Sequence, residues 1–340
     1  MRLSIQASLQ TCKTFMEKKW KAAKMISIII PNWNGKRFLK TCFDSLKGQT
    51  YRDFEIVMVD NGSTDGSVGF IRENYPEVKI IELAKNKGFC VGVNTGIKST
   101  KRECVALLNN DVEVEPQWLE ELVKVLKGNP EIGFCASKML NFYNRQNRTI
   151  DSAGIIYTKA GKAFNRGSGQ EEIYFDKEEE VFGACAGAAL YRRKMLEEIG
   201  YFDERFYAYD EDVDLSFHAQ LMGYRCLYVP TAIVYHFGQG TSCRRAFKRT
   251  YLINKNTLLV LFKNLSFSLL RKNILRIIRS QLSDIVWALR NPTTSFLAVI
   301  KGKFDAIFLF PAYLVCRLKN QRKRKVPIKY LEDMLSDEPV

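Results

Sequence analysis

The chain has 340 residues, 46% of them hydrophobic, with 52 Lys and Arg against 37 Asp and Glu and a net charge of +15. That length accommodates one large α/β domain with an appendage or two modest domains, and that apolar content excludes wholesale disorder. Nine cysteines with no C-x-x-C pair argue against a disulfide framework and for reduced thiols in a cytosolic compartment.

The charge is unevenly placed. Residues 244–329 carry 20 Lys/Arg and 2 Asp/Glu, residues 330–340 carry 4 acidic residues and no basic ones, and residues 1–243 sum to +1. A late basic segment of this kind attracts an anionic membrane or nucleic acid.

Residues 1–24 are Lys-rich and lack the continuous apolar core of a signal peptide. They are expected to be an extension outside the fold, with Met25 an alternative native start. Ile26–Ile30 is a β-branched run stopped by Pro31, which reads as a buried strand. A helical pattern follows through Phe38, Leu39, Cys42, Phe43 and Leu46. Glu55–Val59 is the second strand and ends in the turn-rich loop 60–67. A helix to about Asn74 and a third strand at Val78–Leu83 come next. Residues 86–96 open another helix, Cys104–Leu108 is a fourth strand running into Asn109, Asn110 and Asp111, and Trp118–Leu126 is a helix stopped by Gly128 and Pro130. Alternation at this spacing predicts an α/β fold with a doubly wound, mostly parallel sheet, whose ligands lie outside the carboxyl ends of its strands. The polar loops at Asn32, Asp60, Asn86 and Asn109–Asp111 all fall there.

Residues 140–180 are polar and Gly-rich and are expected to form strands and loops over the far side of the sheet. Val181–Leu190 is small and apolar, which lets backbone or ligand approach closely. Met195–Ile199 is a helix ended by Gly200. From Arg244 apolar clusters alternate with Lys and Arg. These fit either helices lying in a membrane interface or helices packed on the preceding domain with a solvated basic face. The longest nearly uncharged run, Phe304–Cys316, has thirteen residues, short of the roughly 20 that span a bilayer. The basic run 317–325 reads as a solvated tail, with nucleic acid a weaker alternative.

Four carboxylates, Asp210, Glu211, Asp212 and Asp214, stand within five residues. They suit either a solvated helix start or a site that uses a cation or moves a proton. Asp111 at the end of a buried strand is either a turn cap or, with His236, part of a mixed O/N site for Mg2+ or Mn2+. Asp60 is either a turn residue or a partner for a nucleobase or ribose. His218 lies on a helical pattern and reads as structural. Gly88, Gly92 and Gly96 are four apart and are not a dinucleotide fingerprint. No P-loop, Ser-His-Asp elbow or zinc pattern is present.

Six blocks in order, SIIIPNWNG, VDNGSTDGS, NKGFCVGVNTG, LLNNDVEV, GYFDERFYAYDEDVDL and VYH, resemble family 2 glycosyltransferases of the glycosyltransferase A fold, and within them a rhamnosyltransferase-like branch. The resemblance covers about residues 26–240. It implies inverting transfer from a nucleotide-diphosphate sugar. Pro31, Asn32 and Asp60 would hold the nucleoside, with Asn86 and Gly88 along the nucleotide. Asn109, Asn110 and Asp111 match the family's Asp-x-Asp position, which binds the metal and diphosphate. Its first carboxylate is Asn here, which shifts the metal onto Asp111 and His236. Asp212 matches the catalytic base. Glu211, Asp210 and Asp214 would position it or cap its helix, and Asp214 could raise its pKa.

The organisation expected is a catalytic domain over 25–243 and a basic amphipathic helical extension over 244–340, either membrane-interfacial or packed on that domain. The donor implied carries rhamnose or another deoxyhexose, dTDP-rhamnose among the candidates. The acceptor implied is a cell-envelope glycan or a polyprenyl-diphosphate-linked glycan. The protein is then peripheral on the inner face of the cell membrane, in contact with anionic lipid and not with nucleic acid. A sugar nucleotidyltransferase is the rival enzyme, but PNWNG lacks its Gly-rich triphosphate loop. A non-catalytic nucleotide- or glycan-binding module is the rival of another class, and the joint presence of Asp111, Asp212 and His236 argues against it.

Overall fold

The structure, a computed structural model, describes residues 26–238, 246–291 and 295–338. The expected 1–24 extension and the Met25 start lie outside these residues.

The first half follows the expected alternation. Strands β1 (Ile26–Asn32), β2 (Phe54–Asp60), β3 (Lys79–Glu82) and β4 (Cys104–Leu108) are separated by helices α1 (Lys36–Lys47), α2 (Ser67–Asn74) and α3 (Phe89–Lys98). They pair in parallel in the order β4-β1-β2-β3. The central strands β1 and β4 and the end of β2 are buried because both faces of the sheet are covered there, whereas the edge strand β3 is exposed at Lys79 and Glu82. Ile29, Val57, Val59, Val105 and Leu107 face α3, while Ile28, Ile30, Met58, Ala106 and Leu108 face α1. Helix α3 lies close on the sheet because Gly96 has no side chain. A Cβ there would stand 2.4 Å from the Ile29 Cγ2.

Beyond β4 the sheet becomes mixed. After β5 (Val112–Val114) and α4 (Trp118–Gly128) come β6 (Ile132–Asn141), β7 (Ile150–Ser152), the hairpin β8 (Ile155–Tyr157) and β9 (Ala163–Asn165), and then β10 (Glu179–Val181) and β11 (Ala188–Arg192). Helices α5 (Arg193–Ile199) and α6 (Glu211–Leu221) lead to β12 (Arg225–His236). The path runs β10-β12-β6-β11-β4-β1-β2-β3, with β5 on β12 and β7 on β6. Strand β11 is antiparallel to both neighbours. Strand β12 tolerates Pro230 at a register shift between Val229 and Ile233, the irregularity to which an internal proline is confined.

Strand β6 was not predicted. Nine of its ten residues are buried, so it shows no alternation, and it contains Ser137 and Lys138. The stretch 140–180 is also corrected. It folds over the candidate cavity described below, not over the far side of the sheet.

The C-terminal part is helical: α7 (Ala246–Asn264), α8 (Phe267–Arg290), α9 (Phe296–Lys323), which runs through Pro311, and α10 (Ile328–Met334). Leu258, Leu259, Val260 and Leu261 of α7 enter the same core as α3 and α6. No helix among the described residues is long and apolar enough to cross a membrane, and all seven described cysteines are free thiols.

A buried polar cluster fastens α7 to α6. The Lys263 ammonium lies 2.7 Å from Asp214 and 2.8 Å from Asp203, and the Asn264 amide donates to Asp214 at 2.7 Å. His218 is structural as expected, 2.9 Å from the Asn320 amide. Removing one partner of a buried ion pair strands the other without water. Lys263→Ala is expected to lower unfolding stability in urea by about 3–5 kcal/mol. A loss below about 1 kcal/mol would mean that water replaces the ammonium and the cluster is not a clamp.

Candidate active site

A cavity of about 820 Å³ opens at the carboxyl ends of β1 and β4. Pro31, Asn32, Asn86, Gly88, Asn109, Asn110, Asp111, Glu211, Asp212 and His236 all line it. Eight of these come from the loops at strand ends or the turn before α3, as expected of a doubly wound sheet.

One side of the cavity is a chain of amides. The Asn110 amide donates to Asn32 Oδ1 at 2.7 Å, and the Asn32 amide donates to Asp60 Oδ1 at 2.8 Å. Asp60 Oδ2 accepts from the Ser63 N–H at 2.8 Å. Asp60 is therefore buried just behind the lining, and it orients Asn32. Its neighbour Asn61, not singled out from the sequence, lines the cavity and ties two loops by accepting from Lys87 N–H and donating to the Gly88 carbonyl. Gly88 has φ +95°, and a Cβ there would stand 2.6 Å from the Tyr207 carbonyl oxygen. The position requires glycine on both counts.

At the other end the sheet register assembles a second group. His236 pairs with Val112 across β12 and β5, and with Asn141 across β12 and β6. Strand β7 hangs on β6. This brings the His236 Nε2 within 3.4 Å of Asp111 Oδ1 and its Nδ1 within 2.8 Å of Asp151 Oδ2. Burial opposes the charge on this imidazole, but the two carboxylates raise its pKa to about 10. Asp151 sits in the weakly patterned stretch and carried no sequence signal.

One carboxylate and one imidazole facing the cavity, with a second carboxylate on the far imidazole nitrogen, fit a hard or borderline divalent cation. Among the described residues no group of three or more His, Cys, Asp or Glu is placed to hold a metal ion by itself. The set therefore fits a cation whose remaining ligands come from elsewhere, as when substrate phosphates complete a Mg2+ site.

The acidic stretch is not a solvated helix start. Asp212 Oδ2 accepts from the Ala186 N–H at 3.1 Å and its Oδ1 from the Val213 N–H at 2.9 Å. The small run 181–190 is what lets the Ala186 backbone come this close. Burial raises the Asp212 pKa, and the N–H groups oppose the rise. Burial and then the Asp212 charge push Glu211 well above the usual range, and its Oε2 is buried without a hydrogen-bond partner. Asp210 makes no side-chain cap for α6. It accepts instead from Thr257 Oγ1 at 2.8 Å. Its pKa rises to about 7, through burial first, with Thr257 opposing and Asp212 adding. Asp214 stands apart from this group. It is absent from the cavity wall, and Lys263 neutralises it, so it supports α6 and not the Asp212 pKa.

Sequence reasoning also missed Asn256. Tyr207, Tyr209 and Asp210 all have positive φ, of 68°, 70° and 60°, conformations that cost of order 1–3 kcal/mol each in non-glycine residues. The buried Asn256 amide of α7 donates to the carbonyls of Phe206, Ala208 and Tyr209 at 3.1, 2.9 and 2.8 Å. This clamp holds the strained loop that delivers Asp212. Lys248 and Arg249, one turn into α7, also line the cavity, with the Lys248 ammonium 3.7 Å from the Tyr207 ring centre.

A sheet parallel on one side and mixed on the other, with this cavity at its carboxyl ends, is a nucleotide-diphospho-sugar transferase fold of the glycosyltransferase A type. The family model described as "Glycosyl transferase family 2" matches residues 27–200, and the chain belongs to that family. It is 30% identical over 226 residues to the "O-antigen biosynthesis protein RfbC" of Myxococcus xanthus, a match to 62% of this chain and 17% of that protein. The chain thus spans under a fifth of that relative's length. It is 24% identical over 232 residues to the "N-acetylglucosaminyl-diphospho-decaprenol L-rhamnosyltransferase" of Mycobacterium tuberculosis, covering 62% of this chain and 76% of that one. Among solved structures, the mannosyltransferase PcManGT from Pyrobaculum calidifontis, in complex with GDP-Man and Mn2+, superposes with a TM-score of 0.54 at 16% identity, over 94% of this chain and 97% of that chain.

Two outcomes follow from the geometry. Asn256→Ala is expected to lower the kcat of sugar transfer by about tenfold or more, because the loop that positions Asp212 in the cavity loses its clamp, while KM for the sugar nucleotide changes little. An equal fall in kcat and in thermal stability would reduce Asn256 to a packing residue. The raised Asp210 pKa makes the folded state hold its proton longer than the unfolded chain does. Its contribution is therefore full below about pH 4 and lost as pH rises through about 7. Asp210→Asn should accordingly stabilise the ligand-free protein near pH 8 by roughly 2 kcal/mol, allowing for cleft water, and near pH 4 hardly at all. Equal effects at both pH values in thermal unfolding would contradict the assignment.

Proposed function

We propose that the protein is an inverting glycosyltransferase that moves a sugar from a nucleotide-diphosphate donor to an acceptor hydroxyl. One observation carries the reading: Asp212 and the Asp111–His236 pair line the same 820 Å³ cavity. A base and a diphosphate site are thereby offered to one bound donor. The acceptor oxygen attacks the anomeric carbon while Asp212 takes the hydroxyl proton. The bond from that carbon to the diphosphate breaks, and the nucleoside diphosphate leaves with the electron pair. Attack opposite the leaving group inverts the anomeric configuration.

Each side chain has a part. The raised Asp212 pKa brings the base closer to neutral pH, where proton transfer is most effective. Glu211 and Asp210 crowd it with further carboxyl groups. Asn32, oriented by Asp60, and Asn110 offer amides to the nucleoside. Asn86, Gly88 and Asn109 flank the path of the diphosphate. Asp111 and His236 would hold Mg2+ or Mn2+, with Asp151 fixing the imidazole. Such a cation would neutralise charge gathering on the leaving diphosphate. Family membership and the absence of a Gly-rich triphosphate loop after β1 leave the nucleotidyltransferase without support.

The M. tuberculosis relative's name supports rhamnose as the sugar and a lipid-linked glycan as the acceptor. We place the protein at the cytoplasmic membrane face, where such an acceptor is reached from solution, with dTDP-rhamnose the first donor to try. Release of nucleoside diphosphate from a panel of sugar nucleotides tests the reading. One donor is expected to turn over with Mg2+ or Mn2+ and to stop with EDTA. Asp212→Asn is expected to lower that rate by about 10²–10⁴-fold with donor affinity retained in calorimetry. Near wild-type turnover in Asp212→Asn would remove the base assignment, and turnover that survives EDTA would remove the metal.

A further inference from the structure

Of the 21 large hydrophobic side chains exposed among the described residues, 16 lie on α8 and α9 between Phe267 and Leu318. They are not scattered. On α9 Leu297, Ile300, Phe304, Phe308, Val315 and Leu318 recur every three, four or seven residues, the spacing of one helix face. On α8 Leu275, Ile278, Leu282 and Leu289 do the same. Phe304 is 67% exposed, Leu275 80% and Phe308 79%.

Helix α9 is built inside out. An ordinary surface helix turns its large apolar residues inward. The inward face of α9 instead carries Ala298, Gly302, Ala306 and the buried cations Lys303 and Arg317, with Val299 and Tyr313. A Cβ at Gly302 would stand 2.6 Å from the Tyr251 carbonyl oxygen of α7, so small residues are required there and no pocket remains for the large ones. Lys303, 2.6 Å from Gln281 and 3.0 Å from Asp284, fastens α9 beside α8. The inward face thus holds mainly small residues and buried cations with Val299 and Tyr313, while most of the large aliphatic and Phe side chains lie outside.

We propose that the outer faces of α8 and α9 form a surface that docks on an anionic lipid bilayer, lying in its interface. The charge decides the occupant. Residues 244–329 have a net charge of +18. Exposed Arg271 sits among the apolar residues of α8, Arg279 and Arg290 lie along it, and Arg322 and Lys323 end α9 with Arg324 and Lys325 directly after it. A basic apolar face is drawn to anionic headgroups and acyl chains together. A second copy would set the same excess of positive charge against itself. Exposed Trp287, apolar with one N–H donor, suits the headgroup layer. The surface deepens the reading of a lipid-linked acceptor and rests on it only for why the protein meets a membrane. Lipid binding is measured apart from sugar transfer.

The test is sedimentation of the full chain with vesicles of phosphatidylcholine alone and of phosphatidylcholine with phosphatidylglycerol. Binding is expected only to the second, and to weaken as salt rises. Phe304→Ser with Phe308→Ser should lower the partition coefficient about 100-fold. Arg271→Gln with Arg279→Gln should lower it about 20-fold at low salt. All four positions are exposed, so thermal unfolding and vesicle-free donor hydrolysis should stay unchanged. No binding to the anionic vesicles, or equal binding by wild type and both variants, overturns the proposal. A dimer in sedimentation velocity that the Phe304/Phe308 variant dissolves, without lipid binding, would assign the face to a second copy. Loss of vesicle binding with hydrolysis intact leaves the transferase reading standing, and absent hydrolysis with vesicle binding intact does the reverse.

Discussion

The Lys263 ammonium, buried between Asp214 and Asp203, is the interaction on which the rest of the cavity depends. It lies on α7 and neutralises carboxylates on and before α6, so it sets the register between the two helices. That register puts Asn256, seven residues earlier on α7, under the carbonyls of the loop 206–209. The loop then holds Tyr207 and Tyr209, with Asp210 directly after it, at positive φ, conformations costly for residues other than glycine. Only with the loop so held does Asp212 meet the Ala186 N–H. The helices after residue 244 are thus part of the wall of the cavity, through Lys248 and Arg249, as well as of its support.

The sheet does the same service at the opposite wall. Strand β12 runs between β5 and β6, and His236 at its end lies beside Asp111 and Asp151 because those residues adjoin the neighbouring strands. Three residues distant in the chain become one hydrogen-bonded group through strand pairing alone. In that group an imidazole is held between two carboxylates, whereas burial raises the pKa of the carboxyl groups of Asp210, Glu211 and Asp212. The two walls therefore differ in what they can do with a proton.

The parallel half of the sheet was legible in the sequence because each strand is a short β-branched run closed by a turn, as at Ile26–Ile30 and Pro31. The loops at strand ends located Asn32, Asn86 and Asn109–Asp111 by topology, and the resemblance supplied their expected roles. Strand β6 was not legible, since Gly133, Ser137 and Lys138 interrupt its apolar run and its near-complete burial leaves no alternation to replace that signal. Asp151 and Asn256 were not legible either. Each acts through a contact more than forty residues away in sequence, which no local pattern records. For Asp214 the sequence left open support of the helix or a charge effect on Asp212, and only the fold brings Lys263 to 2.7 Å from it. The C-terminal helices were read as interfacial or packed, and α7 is plainly packed into the core, while α8 and α9 keep their large apolar residues outside.

In the proposed donor complex a diphosphate lies between Asp111 and His236 on one wall and Asp212 on the other. A crystal structure of the chain soaked with a nucleoside diphosphate and Mn2+ tests it most directly, through the anomalous signal of the metal. The signal should fall within coordination distance, about 2.0–2.3 Å, of an Asp111 oxygen and the His236 Nε2, with the distal phosphate turned towards Asp212. A metal and diphosphate bound elsewhere in the cavity, with the Asp111–His236–Asp151 hydrogen bonds left intact, would contradict it.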